Sequence, residues 1–142
     1  MTLNDLQKAA LVLFAAKEAG NTGSLTAMKG ICCVIRNRVR AGWHDGSWID
    51  VIENANDYAG NVAAATPRLL TLTDRGLQML ARDIDNIFYS GGMDDEVAES
   101  FKSVLYWQHI DRMTTPWFFE NIIRNLANHR RAVQVGTIAF FE

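Results

Sequence analysis

Apolar residues in the first part of the chain recur every three or four positions, which is the spacing of an amphipathic helix. The pattern predicts a first helix over 3–17, followed by a turn over 18–23. Leu11, Phe14 and Glu18 stand at i, i+3 and i+7 and therefore share one face. A carboxyl group is thus expected at the edge of an apolar face, where the helix ends.

A second helix is predicted over about 25–40. Residues 31–35 are apolar on every side of it, which is typical of a helix buried at the centre of a fold. Asn37 follows this stretch, and we interpret it as a hydrogen-bond donor to the backbone of a loop. The alternative for Asn37 is a direct contact with a substrate.

The middle of the chain combines two further helical patterns with a turn-rich segment. A short helix is predicted over 48–54 and a loop over 54–67. A loop of this length inside a compact domain tends to be functional. The next helix has the clearest amphipathic pattern; Thr71 and Asp74 open it as a variant of the capping box, and it ends before Gly91.

The C-terminal part of the chain favours strands. One strand is predicted over 103–107, and the apolar runs 132–135 and 138–141 flank a turn at Gly136. We therefore expect one domain over 1–142 of the α+β class, mostly helical, with a small antiparallel sheet and a C-terminal hairpin.

Composition narrows the function classes. Hydrophobic residues make up 49% of the chain and charged residues 21%, which fits a globular domain. The net charge of −2 argues against a dedicated nucleic-acid binder, which carries a basic excess. Local basic clusters are interpreted as solvated faces. They comprise Arg36, Arg38 and Arg40, and Arg124, His129, Arg130 and Arg131.

The cysteine and histidine positions do not indicate a metal site or any other cofactor. Cys32 and Cys33 are adjacent in a predicted helix, where a disulfide between them would be strained, so we expect two reduced, buried thiols. The histidines His44, His109 and His129 are scattered, without the spacing of a zinc site.

No apolar stretch reaches the length of a membrane span, and residues 1–5 lack the basic segment of a secretory signal. The cellular location is therefore open. A substrate outside the membrane would require a phage-type holin, a secretion machine or processing from a longer chain.

Glu18 is the first candidate for chemistry. A carboxyl group at the end of an apolar helix face is partly desolvated, which is the environment of a general acid. The alternative is a solvated glutamate in a last helical turn.

Four segments stand in a fixed order along the chain. An apolar helix ends at 18–20 in Glu-Ala-Gly, and a buried helix ends at 37–39 in Asn-Arg-Val. An aromatic strand over 105–109 and the hairpin over 133–141 follow. This order, over residues 8–142, resembles the SleB/CwlJ-type cell-wall hydrolases, the spore cortex-lytic enzymes and their relatives.

The resemblance implies a lysozyme-like domain that cuts the glycan strands of peptidoglycan. It implies that Glu18 is the catalytic acid and that cleavage is of the lytic-transglycosylase type, closing an anhydro ring on muramic acid. The family's helix ends in a Glu-Ala-Arg-Gly-Glu-like turn. Here Gly20 follows Ala19 directly, and Asn21 stands where the second acidic residue is expected.

Five further residues are candidates for substrate binding. Asp57 is also the best candidate for a second carboxylate, with an Asx turn as its alternative. Strand alternation places Tyr106 on one face and His109 on the other, so that one face is core and the other can line a sugar groove. The set comprises Asp57 and Tyr58 on the middle loop, Tyr106 and His109 on the strand, and Trp117 as a stacking platform.

Two other functions remain open from the sequence. The altered turn after Glu18 favours a non-catalytic relative that binds glycan or serves in a phage or secretion assembly. A muramoyl-alanine amidase is the other alternative, but that chemistry usually needs zinc held by histidines.

Overall fold

The computed structural model describes residues 3–19, 25–57, 74–89, 100–109, 116–125 and 127–142, and all structural statements refer to these ranges. They form a mixed helical and antiparallel fold, so the predicted α+β class is confirmed. Its helices are α1 (Asp5–Ala19), α2 (Leu25–Arg40), α3 (Trp48–Asp57), α4 (Asp74–Phe88) and α5 (Pro116–Phe118), and its strands are β1 (Tyr106–His109), β2 (Arg131–Val135) and β3 (Ile138–Phe141).

Helix α1 begins with a reciprocal cap. The Asn4 side chain accepts a hydrogen bond from the Gln7 amide at 2.8 Å, and the Gln7 side chain accepts one from the Asn4 amide at 3.0 Å. The helix continues to Ala19, two residues beyond the predicted end. Glu18 therefore belongs to the last helical turn, and its direction is set by the packing of α1.

Helix α2 is the central element, as its sequence predicts. Every residue from 27 to 39 is buried, and Cys32 and Cys33 are free thiols within this stretch. Burial raises the pKa of the Cys32 thiol well above its usual value. A Cβ on Gly30 would lie only 2.7 Å from the Phe101 ring, so glycine allows α2 to approach that ring closely.

The basic cluster on α2 differs from its predicted role. Arg36 and Arg38 are buried, and only Arg40 lies on an exposed face. The solvated-face interpretation is therefore wrong for the first two, because α2 is covered on all sides through Val39.

Helices α3 and α4 complete the helical layer against α1. Helix α3 extends to Asp57, so the predicted loop does not begin at Asn54; the rest of that loop lies outside the described residues. Helix α4 covers Asp74–Phe88 of the predicted amphipathic helix, and Leu80 and Ile87 are buried. Thr71 lies outside the described residues.

The antiparallel sheet has the order β1-β3-β2, and β3 is buried along its whole length. The predicted hairpin is confirmed around Gly136. Strand β1 begins at Tyr106, three residues later than predicted. The delay has a cause in helix α2: Asn37 donates hydrogen bonds to the carbonyls of Phe101 and Val104 at 2.8 and 2.9 Å, which holds this segment in a turn. The interpretation of Asn37 as a donor to loop backbone is thus confirmed.

Within the described residues, none of the helices is both long enough and apolar enough to cross a bilayer.

Replacing Ile31 by Ala should lower the free energy of unfolding by about 2–5 kcal/mol, because a fully buried side chain leaves a cavity in α2. Chemical denaturation of both proteins measures the difference. Leu77→Ala on the exposed face of α4 is the control. A loss below about 1 kcal/mol for Ile31→Ala would mean that α2 is not the centre of the core.

Candidate functional site

The carboxyl group of Glu18 is buried where the end of α1 meets strand β1. The residue is 8% exposed, so the alternative of a solvated glutamate is wrong. The indole Nε1 of Trp107 donates a hydrogen bond to its Oε2 at 3.3 Å. The Nε2 of His109 lies 3.9 Å from the same oxygen. Two segments that are far apart in sequence thus converge on one carboxylate.

Strand alternation explains this convergence. Residues 107 and 109 are two apart on β1, so their side chains leave the same face of the sheet. Phe14, one helical turn before Glu18, packs edge-on against the Trp107 ring with centroids 5.9 Å apart. The apolar face of α1 therefore holds the indole in the orientation that directs its N–H towards Glu18.

His109 is the second buried polar group of the site. It is 6% exposed, and neither of its ring nitrogens has a hydrogen-bond partner among the described residues. A buried imidazole without hydrogen-bond partners lowers the stability of the fold, unless a bound ligand or a proton donor pairs with it. The structure therefore brings the predicted residues Glu18 and His109 together, with an open hydrogen-bonding capacity between them.

Oε1 of Glu18 is the oxygen left for a ligand. Its partner oxygen, Oε2, receives the Trp107 hydrogen bond, while Oε1 makes none within the described ranges. One oxygen of the carboxyl group is thus held by the fold, and the other has no hydrogen-bond partner among the described residues.

Tyr106 leaves the opposite face of β1 and does not join Glu18. Its ring packs against Trp43, Phe118 and His129, with centroid distances of 5.9, 6.4 and 5.3 Å. This half-buried position makes Tyr106 part of an aromatic cluster that supports the strand.

No contact between the remaining predicted binding residues and Glu18 is among those of the described residues. Trp117 on α5 is 53% exposed, which leaves its ring accessible for stacking. Asp57 is the last residue of α3. Tyr58 lies outside the described residues.

Arg38 is a feature of the site that sequence reasoning missed. Its Nε donates a hydrogen bond to the Leu105 carbonyl at 2.8 Å. Its guanidinium carbon lies over the rings of Trp43 at 4.7 Å, Trp107 at 5.0 Å and Tyr106 at 5.8 Å. Burial lowers the pKa of Arg38 to about 10, so it still carries its charge at neutral pH. Its position directly after Asn37, near the end of a buried helix, was the available signal.

The turn after α2 builds one wall around Arg38. Gly42 has a φ of 84°, a left-handed conformation that glycine adopts without strain. The chain turns there, and Trp43 follows at the start of a 3-10 turn (Trp43–Gly46). Because of this turn, the Trp43 ring lies over the guanidinium of Arg38 on the preceding helix.

Comparisons of this chain with protein-family models, with curated proteins and with solved structures found no match.

Proposed function

We propose that the protein cleaves the glycan strands of peptidoglycan, with Glu18 as general acid and base in a lysozyme-like domain. The observation that supports this most directly is the buried Glu18 carboxyl, with one oxygen held by the Trp107 indole and the other unpaired among the described residues. The two segments that form this contact are two of the four on which the resemblance to the SleB/CwlJ-type hydrolases rests.

In the proposed reaction the Glu18 carboxyl group acts twice, first as an acid and then as a base. Protonated Glu18 donates its proton to the glycosidic oxygen, and the bond from that oxygen to the muramic C1 breaks. The muramic O6 hydroxyl then attacks C1, and the Glu18 carboxylate takes the hydroxyl proton. Atoms and charges balance without water, and the product carries an anhydro ring.

Trp107 stabilises the intermediate state of that cycle. After the first proton transfer Glu18 is negatively charged, and the indole N–H donates to the charged oxygen. A glycosidase that works by two carboxylates would place a second acid near the first. The N-acetyl group of the substrate can replace it, as in substrate-assisted glycosidases.

The direct test is incubation of purified peptidoglycan sacculi with the protein, followed by chromatography and mass spectrometry of the soluble products. Release of muropeptides supports the proposal. Binding to sacculi without any product would favour the non-catalytic glycan-binding alternative.

Trp107→Phe should lower the rate of glycan cleavage about tenfold, because the ring against Phe14 is kept while one hydrogen bond to Glu18 is lost. Initial rates of muropeptide release measure the effect. Trp48→Phe is the matched control, since it removes a buried indole N–H that makes no hydrogen bond among the described residues. Equal rates for Trp107→Phe and the wild type would remove the indole N–H from the mechanism.

A further inference from the structure

The guanidinium of Arg38 is built into the site, and no carboxylate of the described residues pairs with it. Among these residues only its Nε makes a hydrogen bond, to the Leu105 carbonyl. The two Nη nitrogens make no hydrogen bond within the same ranges. Burial lowers the pKa of Arg38 and the Tyr106 hydroxyl raises it, so no described carboxylate holds its charge.

Burying the Arg38 charge without a counter-ion lowers the stability of the folded protein, which favours a functional reason for it. Removing a charge from water without a counter-ion is unfavourable, and stacking on aromatic rings returns only part of that cost. Arg38 is 9% exposed, and the centroids of three aromatic rings lie 4.7, 5.0 and 5.8 Å from its guanidinium carbon. Ring contacts do not satisfy the Nη donors, which lie at the edge of the guanidinium.

We propose that Arg38, framed by Trp43 and Trp107, is a binding subsite for a carboxylate of the substrate. A guanidinium presents parallel N–H donors that match the two oxygens of a carboxylate. The fixed Nε bond and the stacked rings hold this fork in one orientation before any ligand arrives, which lowers the entropy cost of binding.

The subsite rests on the proposed function for the identity of its ligand. Trp107 touches both groups: its ring lies under the Arg38 guanidinium at 5.0 Å, and its N–H reaches Glu18 at 3.3 Å. A carboxylate bound at Arg38 is therefore separated from the cleavage site at Glu18 by the indole ring of Trp107. Muramic acid carries its peptide on the lactyl group beside the scissile bond, and this peptide supplies carboxylates. Arg38 thus selects glycan strands whose muramic residues carry acidic peptides.

The test uses a ligand that the enzyme cannot cleave. N-acetylmuramoyl dipeptide contains one sugar and a free C-terminal carboxylate, and its C-terminal amide is the neutral counterpart. NMR titration of both into the full chain gives two dissociation constants, and the indole N–H signal of Trp107 and the Nε–H signal of Arg38 report where each binds. We expect the acid to bind about tenfold more tightly than the amide.

Arg38→Met should abolish that preference, leaving the acid and the amide within about twofold of each other. Arg82→Met, which removes an exposed arginine on α4, should preserve it. Comparing acid with amide separates charge recognition from a displaced Trp107, which would weaken both ligands equally. If Arg38→Met does not fold, the wild-type preference and the acid-induced shift of the Arg38 Nε–H signal decide the question.

The outcomes for the two proposals are separable. Equal affinities of acid and amide for the wild type, or a preference that survives in Arg38→Met, would overturn the carboxylate subsite even if glycan is cleaved. A tenfold acid preference that Arg38→Met abolishes supports the subsite, and if sacculi then yield no product, only the proposed cleavage reaction is overturned.

Discussion

Replacing Glu18 by Gln should lower the rate of glycan cleavage by about 10²–10⁴-fold, the range that a general acid contributes. Glutamine has nearly the same shape as glutamate, and its amide oxygen can still accept the Trp107 hydrogen bond at Oε2. It cannot donate an acidic proton to the glycosidic oxygen. The loss should therefore appear in turnover, measured as muropeptide release from purified sacculi.

The control variant is Glu120→Gln, which removes an exposed carboxylate that pairs with Arg124 on the surface. It should cleave at the wild-type rate. Circular dichroism and thermal unfolding should show both variants folded. A folded Glu18→Gln protein that still releases muropeptides at the wild-type rate would exclude Glu18 from the mechanism.

The helical part of the fold was largely predictable because its signals are local. The period of apolar residues located α1, α2 and α4, and the hairpin was marked by two apolar runs around Gly136. The start of β1 was not predictable, because residues 103–105 have a strand-like composition although they precede the strand. There the Asn37 side chain competes for the backbone carbonyls, and this is a long-range contact that no local window contains.

The features of the candidate site also fall into two groups: those that local sequence signals predict and those that depend on tertiary packing. The position of Glu18 on a helix face, and the alternation that pairs Trp107 with His109, could be read from the sequence. That these two faces meet follows from tertiary packing, through the Phe14 and Trp107 contact. Arg38 was missed because an arginine near a helix end is usually solvated, and its aromatic surroundings combine the turn after α2 with the distant strand β1.

The products of cleavage should end in 1,6-anhydro-muramic acid, with no new reducing ends. Among the described residues, the polar groups that reach the Glu18 carboxyl are those of Trp107 and His109, and neither is a second carboxylate. Intramolecular capture by the muramic O6 needs no separate base to activate water, because the Glu18 carboxylate accepts the proton. Digestion in heavy-oxygen water, read by mass spectrometry, distinguishes the routes, since an anhydro product contains no oxygen from the solvent.

Asp57→Asn is the matched variant for this prediction, because Asp57 was the candidate for a second carboxylate. It should slow cleavage less than Glu18→Gln does, and its products should retain anhydro ends. Reducing muramic ends that carry solvent oxygen, together with an Asp57→Asn loss as large as that of Glu18→Gln, would identify a two-carboxylate hydrolase. In that case water, activated by Asp57, would replace the muramic O6 as the attacking group.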